Sequence, residues 1–126
     1  MDEPLILVEH HALRQRGLVA YFTWLGLPVQ PWLGDGPAPS GRAAVVCVAD
    51  WPRSGRGELD LRGLRVALRL RHEQPDLPIV GYSLLPSDHL RGLRQLLAAR
   101  RIACVATLVH LDDLLAALGR TARLAG

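Results

Sequence analysis

The sequence contains no lysine, since all fifteen of its basic residues are arginine. A chain without lysine cannot form a Schiff base through a lysine amine, cannot bind phosphate through a Walker-type lysine, and has no lysine for acid–base catalysis. The absence therefore excludes three classes of mechanism. The net charge is only +3 at pH 7, and so small an excess does not by itself indicate nucleic-acid binding. We expect no direct contact with nucleic acid.

Cysteine is also scarce. Cys47 and Cys104 are the two cysteines, and each lies inside an apolar run, which predicts two buried free thiols in a reducing compartment. A disulfide between them is the alternative. No apolar run reaches the length of a membrane span, and the N-terminus begins with Asp2 and Glu3 where a secretory signal carries positive charge. These features predict a cytoplasmic location and no membrane partner.

The order of the apolar segments predicts an α/β fold in one domain. A chain of 126 residues is long enough for a single core covered by helices. Short apolar runs alternate with segments of helical period, as in stacked βα units around a parallel sheet. Strands are predicted at residues 5–8, 27–30, 44–49, 79–82 and 102–106. Helices are predicted at about residues 11–25, 60–72, 86–100 and 111–120, and the Gly- and Pro-rich residues 32–42 are predicted to form a loop.

Polar side chains follow most of the predicted strands. In an open parallel sheet the functional crevice lies beyond the carboxyl ends of the strands. The residues at these ends are Glu9 and His10 after the first strand, Asp50 after the third, Ser83 after the fourth and Thr107 after the fifth. They are the candidate site residues, and their place in the fold explains why the apolar run LILV continues directly into EHH.

Four segments resemble the receiver domain of bacterial response regulators. LILVEHHALRQRGL is similar to its opening strand and first helix, AAVVCVAD to the strand that delivers the phosphoacceptor aspartate, and QPDLPIVGYS to the strand that ends in a conserved hydroxyl. Residues 96–118 resemble the closing helix-strand-helix. The resemblance covers essentially the whole chain as one receiver-like domain, residues 1–126. It implies a flavodoxin-like (βα)5 three-layer sandwich with parallel strand order 2-1-3-4-5, in which the second helix is shortened or replaced by a loop.

The chemistry of that family is mostly missing here. The acid pair that would hold Mg²⁺ is Glu9-His10, and imidazole is a poor substitute for an oxygen ligand of magnesium. The family's lysine falls near Thr107, and the aromatic residue that reorients on activation falls near Cys104. Asp50 stands at, or one residue beyond, the phosphoacceptor position. The resemblance therefore implies a degenerate, pseudo-receiver variant with no cofactor.

Three further hypotheses concern the crevice. Glu9, His10 and His11 with Asp50 offer metal ligands, but consecutive residues seldom point the same way, so we expect no metal. His10 could instead supply the positive charge that Mg²⁺ supplies in active receivers. Asp50 is either a residual phosphate acceptor or, as we favour, a solvated loop acid or a helix cap.

Charged and aromatic residues outside the crevice indicate possible contact surfaces. Arg91 and Arg94 could meet Asp112 and Asp113 of a second copy, and family members often dimerise through this face, which predicts a homodimer through residues 86–120. An output domain or a separate regulatory protein is the other partner considered. A second arginine face is interpreted as solvated or as a partner contact: Arg62, Arg65 and Arg69. Trp24 is predicted to pack against the core, and Trp32 and Trp51 are predicted to cover the crevice or a partner surface.

The spacing of nucleophiles, bases and carboxylates is not that of an enzyme. The sequence predicts an atypical receiver module that acts in signal transduction or transcription regulation through phosphorylation-independent protein–protein interaction. Two alternatives are a regulatory domain that binds a small molecule in the crevice, and an unorthodox phospho-receiver that uses Asp50.

Overall fold

The computed structural model describes residues 3–105 of the chain. These residues form a five-stranded parallel sheet in the order β2-β1-β3-β4-β5. In chain order the elements are β1 (Leu5–Val8), α1 (Ala12–Trp24), β2 (Val29–Pro31), β3 (Ala43–Ala49), α2 (Arg62–Glu73), β4 (Ile79–Ser83), a 3₁₀ turn (Ser87–His89), α3 (Arg91–Ala99) and β5 (Ala103–Val105). The predicted α/β class and strand order are confirmed. The predicted helix at 111–120 lies outside the described residues, as do Thr107, Asp112 and Asp113.

The sheet is covered on both faces, which is why β1 and β3 are apolar without alternation. Successive side chains of a strand point to opposite faces, so Leu5 and Leu7 join one cluster and Ile6 joins the other. Helix α1 packs on the first face through Leu18 and Phe22. Helices α2 and α3 cover the second face. The described residues thus form the three predicted layers.

The connection from β2 to β3 contains no helix, as predicted for residues 32–42. Trp32 packs against the core on the α2 side. Arg69 of α2 donates hydrogen bonds to the carbonyl oxygens of Gly34 at 2.7 Å and Gly36 at 2.8 Å, and its guanidinium lies 5.4 Å from the Trp32 ring centroid. Arg69 therefore anchors the loop, whereas Arg65 of the same helix is exposed.

Two helix boundaries differ from the prediction. Helix α2 begins at Arg62 rather than Asp60, its N-cap residue is Leu61, and the Asp60 carboxylate accepts the Arg62 N–H at 3.1 Å. The segment expected as one helix from Pro86 divides into the 3₁₀ turn and α3. The break falls at Leu90, whose fully buried side chain packs with Leu85 against the end of β3.

Two burial predictions are corrected by the structure. Trp24 was expected to pack, but 81% of its surface is exposed, because it lies at the end of α1 on the side opposite Leu18 and Phe22. Cys104 is only partly buried because β5 is an edge strand of the described sheet, whereas Cys47 on β3 is buried. Both thiols are free.

Among residues 3–105, no helix has the length and apolarity needed to cross a membrane.

Candidate functional site

The carboxyl ends of β1 and β3 lie side by side in the sheet and bring Glu9 and Asp50 together. Glu9 directly follows β1 and is 1% exposed, and Asp50 directly follows β3 and is partly buried. A carboxylate that is removed from water needs a compensating charge and hydrogen-bond donors. The source of that compensation determines the chemistry of the crevice.

Arg14 supplies the compensating charge. It lies in the first turn of α1, and its guanidinium contacts both carboxylates: Nε donates to Glu9 Oε1 at 2.9 Å, and Nη2 pairs with Asp50 Oδ2. Burial lowers the pKa of Arg14, but the bonds and charges of Glu9 and Asp50 outweigh that effect and raise the pKa above its ordinary value. Arginine is charged at every physiological pH, so a permanent cation bridges the two acids.

Tyr82 and the start of α1 complete the shell around Glu9. The Tyr82 hydroxyl donates to Glu9 Oε1 at 2.8 Å, and the His11 N–H donates to Oε2 at 3.0 Å. Burial and the charge of Glu9 raise the pKa of Tyr82, so its hydroxyl keeps its proton and remains a donor. Both oxygens of Glu9 are therefore occupied.

Both carboxylate oxygens of Asp50 also have hydrogen-bond partners. One of its oxygens pairs with Arg14, and the other, Oδ1, accepts the Trp51 N–H at 2.8 Å. The backbones of Asp50 and Asp60 exchange two hydrogen bonds of 3.0 Å and 2.9 Å, which close residues 51–59 into a loop beside the crevice. Asp60 in turn pairs with Arg62 at 2.7 Å. The hydrogen bonds from Arg62 lower the pKa of Asp60.

Glu9, Cys47 and Asp50 present three potential metal-ligand atoms within 4.8 Å of one another. Burial, together with the charge of Glu9, raises the pKa of the Cys47 thiol, so sulfur stays protonated and is a weak ligand. Each carboxylate already accepts hydrogen bonds at both oxygens, and the Arg14 cation lies between them. Magnesium requires several free oxygen ligands, so these residues do not fit the ion.

His10 and Ser83 adjoin the pair of acids, but their side chains bond to backbone groups instead of to the two carboxylates. The His10 ring nitrogen Nε2 lies 3.1 Å from the Leu33 carbonyl oxygen, so the cation between the carboxylates is Arg14 and not the imidazole predicted for that role. The Ser83 hydroxyl is buried, donates to the Ala49 carbonyl oxygen at 2.7 Å and accepts the Leu85 N–H. Ser83 thus fastens the ends of β3 and β4. Thr107 lies beyond the described residues.

Sequence reasoning missed Arg14 and Tyr82. A signal existed for each: Arg14 lies in the first helical turn after Glu9, and Tyr82 immediately precedes Ser83 on β4. Neither signal distinguishes its residue from the other arginines and aromatics without the sheet order. Of the predicted interface residues, Arg91 is exposed, and Arg94 donates from Nη2 to the Cys104 carbonyl oxygen at 3.1 Å.

No protein-family model matches the sequence, and no curated protein does. Solved structures do match. A response regulator receiver protein from Sinorhizobium medicae superposes with a TM-score of 0.66 at 15% identity, covering 99% of this chain and 98% of that one. This chain has the receiver-domain fold.

Two further solved structures match the fold with similar scores, one a response regulator and one described as an adenylate cyclase. The response regulator TrrA from Thermotoga maritima, solved in complex with Mg²⁺ and BeF, gives a TM-score of 0.64 at 16% identity over 96% of this chain and 99% of that one. A structure described as adenylate cyclase from Rhodopirellula baltica gives 0.68 at 12% identity, over 99% of this chain and 90% of that one. At such identities the receiver likeness is one of fold, and the chemistry has to be argued from the crevice.

Proposed function

We propose that this receiver-fold chain is a pseudo-receiver that signals through protein–protein interaction without phosphorylation, in signal transduction or transcription regulation. The observation that carries the proposal is the position of Arg14, whose guanidinium contacts Glu9 and Asp50 at once. By resemblance to the receiver family, Glu9 falls at a metal-binding position and Asp50 at, or one residue beyond, the phosphoacceptor position. Here a cationic side chain of the protein itself bridges the two acids.

Removal of Arg14 from the crevice is energetically unfavourable. Glu9 is 1% exposed, and a buried charge that loses its partner costs about 3–5 kcal/mol. A metal ion would have to displace the guanidinium and strip the Tyr82 and His11 donors from the same carboxylate. A phosphoryl group on Asp50 would add negative charge in a chain that has no lysine to balance it. The contacts of Arg14, Tyr82 and His11 thus disfavour metal binding, and the absence of lysine disfavours phosphorylation.

A phosphorylation assay tests the proposal directly. The intact chain is incubated with acetyl phosphate or beryllofluoride and Mg²⁺, and its mass and melting temperature are recorded. We expect neither a mass gain nor a Mg²⁺-dependent shift. A mass gain that disappears in Asp50→Asn would establish the unorthodox phospho-receiver instead and would overturn the proposal.

A gain of metal binding on removal of Arg14 would show that Arg14 excludes Mg²⁺ from the crevice. The double variant His10→Asp with Arg14→Ala provides a second acid and removes the resident cation, so we expect a Mg²⁺-dependent rise in melting temperature. The matched control is His10→Asp with Arg16→Ala, since Arg16 is an exposed arginine of the same helix. A Mg²⁺ response in the control as well would show that the missing acid, and not Arg14, excludes the metal.

For the partner, the predicted homodimer through residues 86–120 remains a proposal. Arg91 is exposed and available for such a contact, whereas Arg94 is held by the Cys104 carbonyl. Exposed ion pairs contribute only about 0–1 kcal/mol each, so apolar contacts must supply most of the affinity. Reversal of Asp112 and Asp113 to arginine should weaken the dimer and make the remaining association less salt-dependent in sedimentation.

A ligand-binding regulator is the second candidate, because an open cavity of about 460 Å³ adjoins the crevice. Its wall includes Trp51 and Arg53, together with the ion pairs Arg14–Asp50 and Arg62–Asp60. Such a volume lies within the range of small-molecule sites. Quenching of tryptophan fluorescence by anionic metabolites in the native chain, absent in Trp51→Phe, would favour this function.

A further inference from the structure

Helix α1 is apolar on its outer side as well as on the side that packs against the sheet. Its inner side buries Leu18 and Phe22. Four residues share the outer side and are called the α1 stripe: Leu13, Gly17, Ala20 and Trp24. At about 100° per residue they fall within an arc of about 60°. An exposed apolar patch of this kind can mark a contact surface.

The two large members of the α1 stripe are unusually exposed. Trp24 is 81% exposed and Leu13 is 69% exposed. The Trp24 indole stacks on Tyr21 with ring centroids 6.5 Å apart, so its own chain already holds it in one orientation. A pre-oriented aromatic loses little side-chain freedom when a partner covers it. Large apolar side chains of this kind are typical anchors of interfaces.

The α1 stripe is self-complementary when two copies run antiparallel. Leu13 and Trp24 are its ends, Gly17 and Ala20 are its middle, and both pairs are centred midway between residues 18 and 19. A twofold axis through that point therefore sets each leucine opposite the other copy's tryptophan and each glycine opposite the other copy's alanine. Small residues at the crossing let the backbones approach, while the large residues pack at both ends. Contacts repeated by a twofold axis are the usual form of homodimers.

The free space at Gly17 and the surface area that two copies would bury both agree with this antiparallel arrangement. A Cβ built at Gly17 meets no atom within 4 Å, so none of the residues 3–105 fills the centre of the stripe. Trp24 would bury about 200 Å², within the usual range for an aromatic side chain. With Leu13 and the flanking residues, two copies would bury about 1,000 Å² in total, the lower bound of specific interfaces.

Charge favours a second copy and not a strongly acidic or basic partner. Helix α1 contains no acid, and Arg14 is committed to Glu9 and Asp50. Arg16 is the exposed charge that remains beside the stripe. Two copies would bring only their Arg16 side chains towards each other, at a distance over which salt screens repulsion. Association through α1 should therefore be unaffected or strengthened by salt.

We propose that the α1 stripe is a homodimer interface in which two copies of the chain pack their first helices antiparallel. This interface goes beyond the proposed function and uses none of the residues from 86 to 120. It also does not depend on the state of Asp50. The phosphorylation assay and the association assay can therefore fail independently.

Sedimentation of the full chain from micromolar to millimolar concentration tests the interface. We expect a dimer whose dissociation constant rises at least tenfold in Trp24→Ala and in Gly17→Arg, the latter because a long side chain at the crossing separates the helices. Circular dichroism checks that each variant folds. Trp51→Ala removes an exposed indole outside α1 and should leave association unchanged.

Cross-linking supplies a geometric test. Ala20→Cys brings two introduced thiols close to the proposed twofold axis, so a short bis-maleimide should link two copies, whereas Arg91→Cys should give no such product. Three outcomes would overturn the interface: a monomer at all concentrations, a dimer that Arg91→Glu but not Trp24→Ala weakens, or a monomer whose melting temperature Trp24→Ala lowers. The last outcome would mean that the stripe is covered within one chain.

Discussion

Helix α1 borders two regions that differ in how completely their side chains are partnered. At the crevice, every oxygen of Glu9 and Asp50 accepts a hydrogen bond, and Arg14 bridges both acids. On the outer side of the same helix, Leu13 and Trp24 remain exposed. In the crevice, which performs the chemistry of the receiver family, groups of the chain itself satisfy the two carboxylates. On the outer side of α1, the large apolar side chains are exposed to solvent. The contrast favours a protein that binds over one that reacts.

The largest expected change in stability is that of Gly63→Ala, and Gly17→Ala is the comparison. A Cβ at Gly63 of α2 would lie 1.6 Å from the Cys47 carbonyl oxygen of β3, whereas a Cβ at Gly17 meets nothing. Gly63→Ala should therefore destabilise the fold by about 4 kcal/mol, beyond the usual cost of overpacking, because the obstacle is backbone. Gly17→Ala should stabilise the monomer by up to about 1 kcal/mol. Urea denaturation measures both, and equal effects would contradict the described packing of α2 on β3.

Two arginines of α1 provide the next comparison. Arg14→Ala leaves Glu9 buried without its cation and should cost about 3 kcal/mol. Arg16→Ala, on the exposed side, should change stability by less than about 0.5 kcal/mol. Chemical denaturation of the two variants in parallel gives the difference. A small effect of Arg14→Ala would show that the ion pair does not hold the crevice closed.

Two tyrosines test the hydrogen bond beneath the ion pair. Tyr82→Phe removes the donor to Glu9 Oε1 at 2.8 Å from a buried carboxylate, which should cost about 1.5–3 kcal/mol. Tyr21→Phe alters a ring whose neighbours are Phe22 and Trp24, and it should be nearly neutral. Thermal unfolding compares the pair. Similar melting temperatures for both variants would argue against the buried bond.

The smallest effect is a pH dependence at the rim of the crevice. The hydrogen bonds from Arg62 lower the pKa of Asp60 below its ordinary value of 3.8. A lowered pKa adds stability above the ordinary pKa, and that stability is lost as pH falls through the folded value. Asp60→Asn should therefore lower stability by about 1 kcal/mol or less at pH 7 and converge with the parent chain in acid. Denaturation curves from neutral pH to below pH 4 measure the convergence.

Much of the fold could be predicted because each signal is local. The runs LILV and AAVVCVA indicate strands covered on both faces, and residues 32–42 contain too many glycines and prolines for a helix. The helix boundaries were less predictable. The end of the 3₁₀ turn depends on Leu90, whose burial against β3 cannot be read from neighbouring residues.

The candidate site was only half predictable. Strand ends predicted Glu9 and Asp50 at one edge of the sheet, because parallel strands place their carboxyl ends there, and in the structure both contact Arg14. The charge between them was predicted on His10, the residue next to Glu9 in sequence. In the structure that residue contacts the Leu33 carbonyl, and the first turn of α1 delivers Arg14. Adjacent residues of an extended chain point in different directions, whereas a helical turn can fold back over the strand end.

The sequence by itself determined the alternation of strands and helices, the loop in place of the second helix, and the absence of a lysine from the crevice. Tertiary structure alone decided which cation bridges the acids and which tryptophans remain exposed. The physical reason is separation along the chain: the bond from Arg14 to Asp50 spans 36 residues, and that from Tyr82 to Glu9 spans 73. The hydrophobic periodicity of a sequence indicates structure over a few residues. These partners meet only because β1, β3 and β4 are neighbours in one sheet.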